Sequence, residues 1–125
     1  MEFLMRAIID TDILIDYLQG QEKAKVEIDR YSRREISIIS WMEIMAGADG
    51  SEEEKECQAF LSTFMIHQLS VEIAGEAVRL RKRFRIRLPD SVVWATARAN
   101  DCLLVTRNTK DFSTDEPGVR VPYRV

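Results

Sequence analysis

Apolar runs too short to be helices alternate with stretches of helical periodicity. That alternation constrains the fold more than any other feature of the chain. Residues 6–9, 35–39 and 103–106 are short runs rich in Ile, Leu and Val. Such runs, bounded by polar residues, read as buried strands. Between them the spacing is helical. Thr11 or Asp12 can cap a helix through Leu18 that Gly20 closes, and residues 21–34 place Ala24, Ile28 and Tyr31 on one face. Two capping boxes, Ser40 with Glu43 and Ser51 with Glu54, predict helices starting at Ser40 and Ser51. The first stops near Gly47, and the second carries Phe60, Leu61, Phe64 and Met65 on one face. Residues 66–69 suit a further short strand, and residues 70–84 form an amphipathic helix through Ile73, Ala77, Leu80 and Phe84. Pro89 breaks that pattern, a buried helix follows over 90–100, and a last strand over 119–121 comes after the Pro117-Gly118 turn.

Strands alternating with helices predict an α/β sandwich whose central sheet is mainly parallel. With 125 residues and no repeat or linker, one domain over residues 1–125 is the economical expectation. The composition excludes several chemistries. His67 is the only histidine, so a zinc site built on several histidines is not expected. Cys57 and Cys102 form no CxxC pair and read as buried thiols in a reducing cytoplasm. No apolar run is long enough to span a bilayer, and no basic-plus-apolar leader is seen, so a cytoplasmic protein is expected.

Catalysis by such a chain must therefore lean on carboxylates. In open parallel sheets, sites form beyond the carboxyl ends of the strands. Asp10 follows the first strand, Glu43 lies a turn past the second, Asp90 opens the buried helix, and Asp111 sits in the loop after Val105-Thr106. Each has a plain alternative as a cap or turn residue, so the case rests on their joint placement. Asp12 and Asp16 read as helix-start and surface charges, with Asp12 able to reach a metal through water. Four carboxylates gathered in one place repel and raise one another's pKa, and a divalent cation relieves that. Hard oxygen donors select Mg²⁺, with Mn²⁺ as the other option. The expected chemistry is hydrolysis of a phosphodiester by a water activated at that metal.

The acid-bearing segments also resemble a known family. Residues 8–16 (Ile-Ile-Asp-Thr-Asp-Ile-Leu-Ile-Asp), 38–47, 88–97 and 104–112 are similar, in order, to the motifs of PIN-domain ribonucleases, especially VapC toxins of bacterial toxin–antitoxin pairs. The resemblance implies a PIN-like three-layer sandwich and a Mg²⁺-dependent endoribonuclease whose acidic quartet is Asp10, Glu43, Asp90 and Asp111. It implies Asp10 and Asp90 as the main metal ligands, Thr11 and Thr106 orienting the first and last acids, and Asn108 reaching the metal or its water. It implies RNA as substrate, a cognate antitoxin as partner and a homodimer. Asp12 stands where the family usually has Asn, and Trp41 and Trp94 are bulkier than expected, which bears on pocket shape.

A net charge of −3 is not that of a generic nucleic-acid binder, so charge distribution matters more than the sum. Arg79, Arg81, Lys82, Arg83, Arg85 and Arg87 cluster just before Asp90. Arg83, Arg85, Arg87 and Arg107 are the candidate RNA contacts; the plainer reading is a solvated helix face. Three other readings compete. Asp10-Thr11-Asp12 mimics the opening of haloacid-dehalogenase-type phosphatases, in which the first Asp is a nucleophile, but no later paired-Asp motif appears. A receiver-type signalling module lacks its phosphate-accepting Asp after a middle strand, and a PIN-like module that only binds would not need intact acids.

Overall fold

A computed structural model describes residues 6–124. Its strands are β1 (Ala7–Ile9), β2 (Glu35–Ser37), β3 (Met65–His67), β4 (Leu103–Val105) and β5 (Val119–Arg120). Its helices are α1 (Thr11–Leu18), α2 (Glu22–Asp29), α3 (Ile38–Gly47), α4 (Gly50–Leu61), α5 (Val71–Phe84) and α6 (Leu88–Ala99). The sheet order is β3-β2-β1-β4-β5 and every pairing is parallel. Ile8 sits opposite Leu104 and next to Glu35, which makes β1 the central strand.

Alternation along the strands sorts the core into two layers. Ala7, Ile9, Ile36 and Val105 pack against α1, α2 and α4 through Ile13, Leu14, Ala24, Ile28 and Leu61. Ile8 and Leu104 face the other way, onto α5 and α6 through Ala77, Leu80, Val93 and Trp94. Helices therefore cover both faces of the parallel sheet, the expected three-layer sandwich. Burial of each aliphatic side chain in these layers contributes about 1.5–3 kcal/mol. Both cysteines are buried and unpaired. No helix of the described residues is long and apolar enough to cross a membrane.

Several boundaries differ from expectation, each for a local reason. The second strand ends at Ser37 rather than residue 39, because the Ser37 side chain accepts the Ile39 N–H at 3.1 Å and starts α3 there. Ile38 and Ile39 are thus helical, and Ser40 lies inside α3 instead of capping it. Asp10, not Thr11 or Asp12, caps α1 by accepting the Thr11 N–H. Helix α4 starts at Gly50 after Asp49, whose N–H is taken by Glu53, so the Ser51–Glu54 box does not form. Met65 is on β3 and largely exposed rather than on the face of α4, and that strand covers 65–67 instead of 66–69. Pro89 occupies the first turn of α6, where its missing N–H costs nothing, so the helix begins at Leu88.

Candidate active site

The carboxyl ends of β1 and β4 meet at Asp10. Its N–H donates to Val105 O at 2.8 Å, which extends the ladder by one rung and fixes the side chain at the sheet edge. Asp10 Oδ1 accepts the Thr11 N–H at 2.8 Å, and Oδ2 accepts the Thr106 hydroxyl at 2.7 Å. The residue is 5% exposed. Burial first, then the charge of Asp12, hold its carboxyl above the usual range, against the pull of those two hydrogen bonds.

Glu43 stands on the second turn of α3, exposed to solvent. The Thr11 hydroxyl is 2.7 Å from Glu43 Oε1 and 2.8 Å from Ser40 Oγ. A hydroxyl has one hydrogen, so Thr11 donates to the carboxylate and accepts from Ser40. Asp90 is the third residue of α6 and 7% exposed, with Arg87 Nε at 3.3 Å from Oδ2. Burial raises the Asp90 pKa, Arg87 opposes the rise, and Asp111 and Glu43 add to it. Asp111 is held by Asn108 through a reciprocal pair: Asn108 Nδ2 donates to Asp111 Oδ2 at 2.9 Å, and the Asp111 N–H donates to Asn108 Oδ1 at 3.2 Å.

Asp10, Glu43 and Asp90 line one concavity of about 250 Å³, together with Thr11, Asp12, Ile15, Arg87 and Asn108. Asp111 does not line it directly; it bonds the lining residue Asn108 and its charge is felt by Asp90. The two threonines act differently from expectation. Thr11 orients Asp10 through its backbone but Glu43 through its hydroxyl, and Thr106 orients Asp10 rather than Asp111. Thr106 Oγ1 also accepts the Asn108 N–H at 3.0 Å, so one hydroxyl links the loop of the last acid to the first.

As they stand, no three acids, histidines or cysteines among the described residues are placed to hold one metal ion. The donor set nevertheless fits a hard divalent cation. It is all oxygen, the pKa values of Asp10 and Asp90 are raised by burial and by neighbouring carboxylates (Asp12 and Asp90 on Asp10, Asp111 and Glu43 on Asp90), and Asp12 Oδ1 is sealed from solvent with no hydrogen-bond partner. A cation would relieve each of these costs.

The four candidate arginines do not act as one surface. Arg87 alone lines the acidic concavity. Arg83 stacks over Phe84 at 4.9 Å and lines a separate hollow with Arg6, Arg98 and Leu103, at the amino ends of β1 and β4. Arg85 adopts a left-handed conformation at the end of α5 (φ 58°). The Arg107 guanidinium is occupied by Asp16, with Nε 2.6 Å from Oδ2 and Nη2 3.0 Å from Oδ1. Asp16 is therefore not a surface charge: it is buried and also accepts the Tyr123 hydroxyl at 2.8 Å. Those bonds hold its pKa below the usual range against the effect of burial. Trp94 is 1% exposed, packed on Phe84 and Phe112, and Trp41 packs on the other core layer, so neither lines the concavity. His67 bonds buried Glu35 at 2.9 Å and does not line it either.

The sequence reading missed Ser40, which supports Thr11, and the structural part of Asp16. For Asp16 a signal existed: it lies four residues after Asp12, in a helix whose other inward residues are Ile13 and Leu14.

A family model described as "PIN domain" matches residues 7–114. No curated protein sequence matches the chain. Among solved structures, the chain is similar to one in a toxin–antitoxin complex from Klebsiella pneumoniae, with 42% identity and a TM-score of 0.88. That match covers 95% of this chain and 99% of the other. A DNA-bound VapBC complex from Salmonella typhimurium matches at 22% identity and TM-score 0.76, over 93% of this chain and 96% of that one. FitAcB from Neisseria gonorrhoeae matches at 20% identity and TM-score 0.79, over 95% and 99%. At those lower identities the likeness is one of fold.

Proposed function

The chain belongs to the PIN-domain family, and from that premise we propose that it is a divalent-metal-dependent endoribonuclease, the VapC-type toxin of a type II toxin–antitoxin pair. The observation that carries this reading is the shared lining of one concavity by Asp10, Glu43 and Asp90, residues far apart in sequence. The toxin–antitoxin title of the 42%-identical relative supports the partner, a cognate antitoxin. RNA as substrate, a homodimer and a cytoplasmic setting complete the reading.

Asp10 and Asp90 would be the principal holders of Mg²⁺ or Mn²⁺, with Glu43 beside them and Asp111 acting through Asn108. When bound, the cation supplies Lewis acidity that eases deprotonation of an attacking water and offsets charge on the phosphoryl oxygens. The chain's own residues do the rest. Thr106 and the Thr11 N–H fix both Asp10 oxygens. Thr11 holds Glu43 Oε1, so Oε2 is the oxygen that takes the proton of the attacking water. As the new P–O bond forms, the bond to the leaving ribose oxygen breaks, and that oxygen takes a proton from solvent. Arg87 at the rim meets the phosphate charge, which the four carboxylates lining the concavity would otherwise repel.

Asp10 as a phosphoryl-accepting nucleophile has less support, because the chain carries no later paired-Asp motif of that phosphatase type. Cleavage of a structured RNA by the purified protein tests the reading. Internal cuts that need Mg²⁺ or Mn²⁺ and stop on chelation support it; absence of cleavage with either metal opposes it.

A further inference from the structure

Asp12 is the acid for which neither the helix cap nor the four-acid arrangement has a use. Its Oδ1 is the only buried side-chain oxygen or nitrogen among the described residues that has no hydrogen-bond partner. Its Oδ2 has the Arg107 N–H at 3.3 Å and lies 3.4 Å from Thr106 Oγ1. The single Thr106 hydrogen is spent on Asp10 at 2.7 Å, so the longer contact is not a second bond. A carboxylate with about four acceptor sites thus keeps one long backbone bond. The Arg107 guanidinium does not close the gap, since its Nε and Nη2 are engaged by Asp16.

An anionic oxygen left in this state is expensive unless a cation reaches it. Asp12 lines the same concavity as Asp10, Glu43 and Asp90. We propose that Asp12 belongs to the metal-holding set as a fifth carboxylate, with Oδ1 serving the cation directly or through one water. This rests on the reading of the site as that of a metal-dependent nuclease. It adds that the chain holds its cation more tightly than the quartet would alone, and that the metal-free state bears the cost of an unpaired oxygen.

Asp12→Asn keeps an acceptor for the Arg107 N–H and removes only the charge. Asp12→Ser removes the carboxylate by a different route. The test uses the full chain with MnCl₂ alone, reading affinity by calorimetry and unfolding temperature with and without metal. Asp10→Asn serves as the reference. Both Asp12 variants should bind Mn²⁺ at least ~10-fold more weakly than wild type, the loss typical when a partner in a metal site is removed. Their metal-induced rise in Tm should shrink, while the metal-free Tm of Asp12→Asn stays level or rises. If Asp12→Asn and Asp12→Ser bind Mn²⁺ as wild type does while Asp10→Asn does not, Asp12 is structural and this inference falls alone. If wild type itself binds no Mn²⁺, the metal-nuclease reading falls with it.

Discussion

The Thr106 hydroxyl donates to Asp10 Oδ2 at 2.7 Å, joining the ends of β4 and β1 across 96 positions of sequence. Thr106 is fully buried and its Oγ1 accepts the Asn108 N–H. One small side chain thereby sets the first acid and the loop of the last. Thr106→Val should lower metal affinity by ~10- to 100-fold and destabilise the fold by about 1–3 kcal/mol, since it leaves a buried carboxylate oxygen and an N–H without partners. Thr106→Ser should retain most of both. Calorimetric Mn²⁺ titration beside urea unfolding reads the two effects; equal behaviour of the Val and Ser variants would show that the hydroxyl is idle.

The direction of the pKa shifts fixes how stability depends on pH without metal. Asp10, Asp12 and Asp90 are raised, so the folded state holds protons that the unfolded chain releases above about pH 4. Their contribution is fully present below that pH and is lost as pH rises through the raised folded values. Asp16, Glu27 and Glu35 are lowered, so their stabilisation is present above about pH 4 and is lost as pH falls through the lowered folded values. Thermal unfolding of the chelated protein should therefore show Tm falling from pH 5 to pH 8, and saturating Mg²⁺ should shrink that fall. A chelated Tm that is flat or rises over this range would contradict the assignment of raised carboxyls.

Much of the sheet was legible in sequence because a central parallel strand is buried on both faces and reads as an unbroken apolar run. Ala7, Ile8, Ile9, Leu104 and Val105 are all of this kind. Ile38 and Ile39 carry the same local signal yet are helical, because one side-chain bond from Ser37 decides where α3 begins. The acids after β1 and β4 could be found from topology alone, since parallel strands bring like ends together. Asp16 could not be assigned its partners, which are Arg107 and Tyr123, 91 and 107 positions away. Nor could the division of labour among the arginines be read, since Arg83 and Arg87 are one helix turn apart in sequence but line different hollows.

The Arg107–Asp16–Tyr123 cluster ties α1 to the segments after β4 and β5. Asp16→Ala should cost about 2–3 kcal/mol in urea unfolding, below the range for a fully buried pair because the Arg107 side chain is partly in water. A double-mutant cycle with Arg107→Ala should show clear coupling between the two sites. Additive losses would mean that the pair acts as two independent surface charges.

Arg87 occupies Asp90 and borders the concavity, with a mostly exposed side chain. Arg87→Gln should strengthen Mn²⁺ binding a few-fold, since Asp90 loses a competing cation, and should raise the KM for RNA, since the rim loses charge that meets phosphate. The two effects run in opposite directions, so a general loss of folding cannot mimic them. Unchanged metal affinity together with unchanged KM would remove Arg87 from the site.

The central claim is that Asp10, Glu43, Asp90 and Asp111 act together on one divalent cation to cut RNA. The most direct measurement is the single-turnover rate of RNA cleavage in Mg²⁺ for wild type, Asp10→Asn and Asp90→Asn, each shown to be folded by circular dichroism. The account predicts metal-dependent cleavage by wild type and a loss of ~100-fold or more in both variants. Cleavage by either variant at the wild-type rate, or wild-type cleavage that persists in chelator, would contradict it.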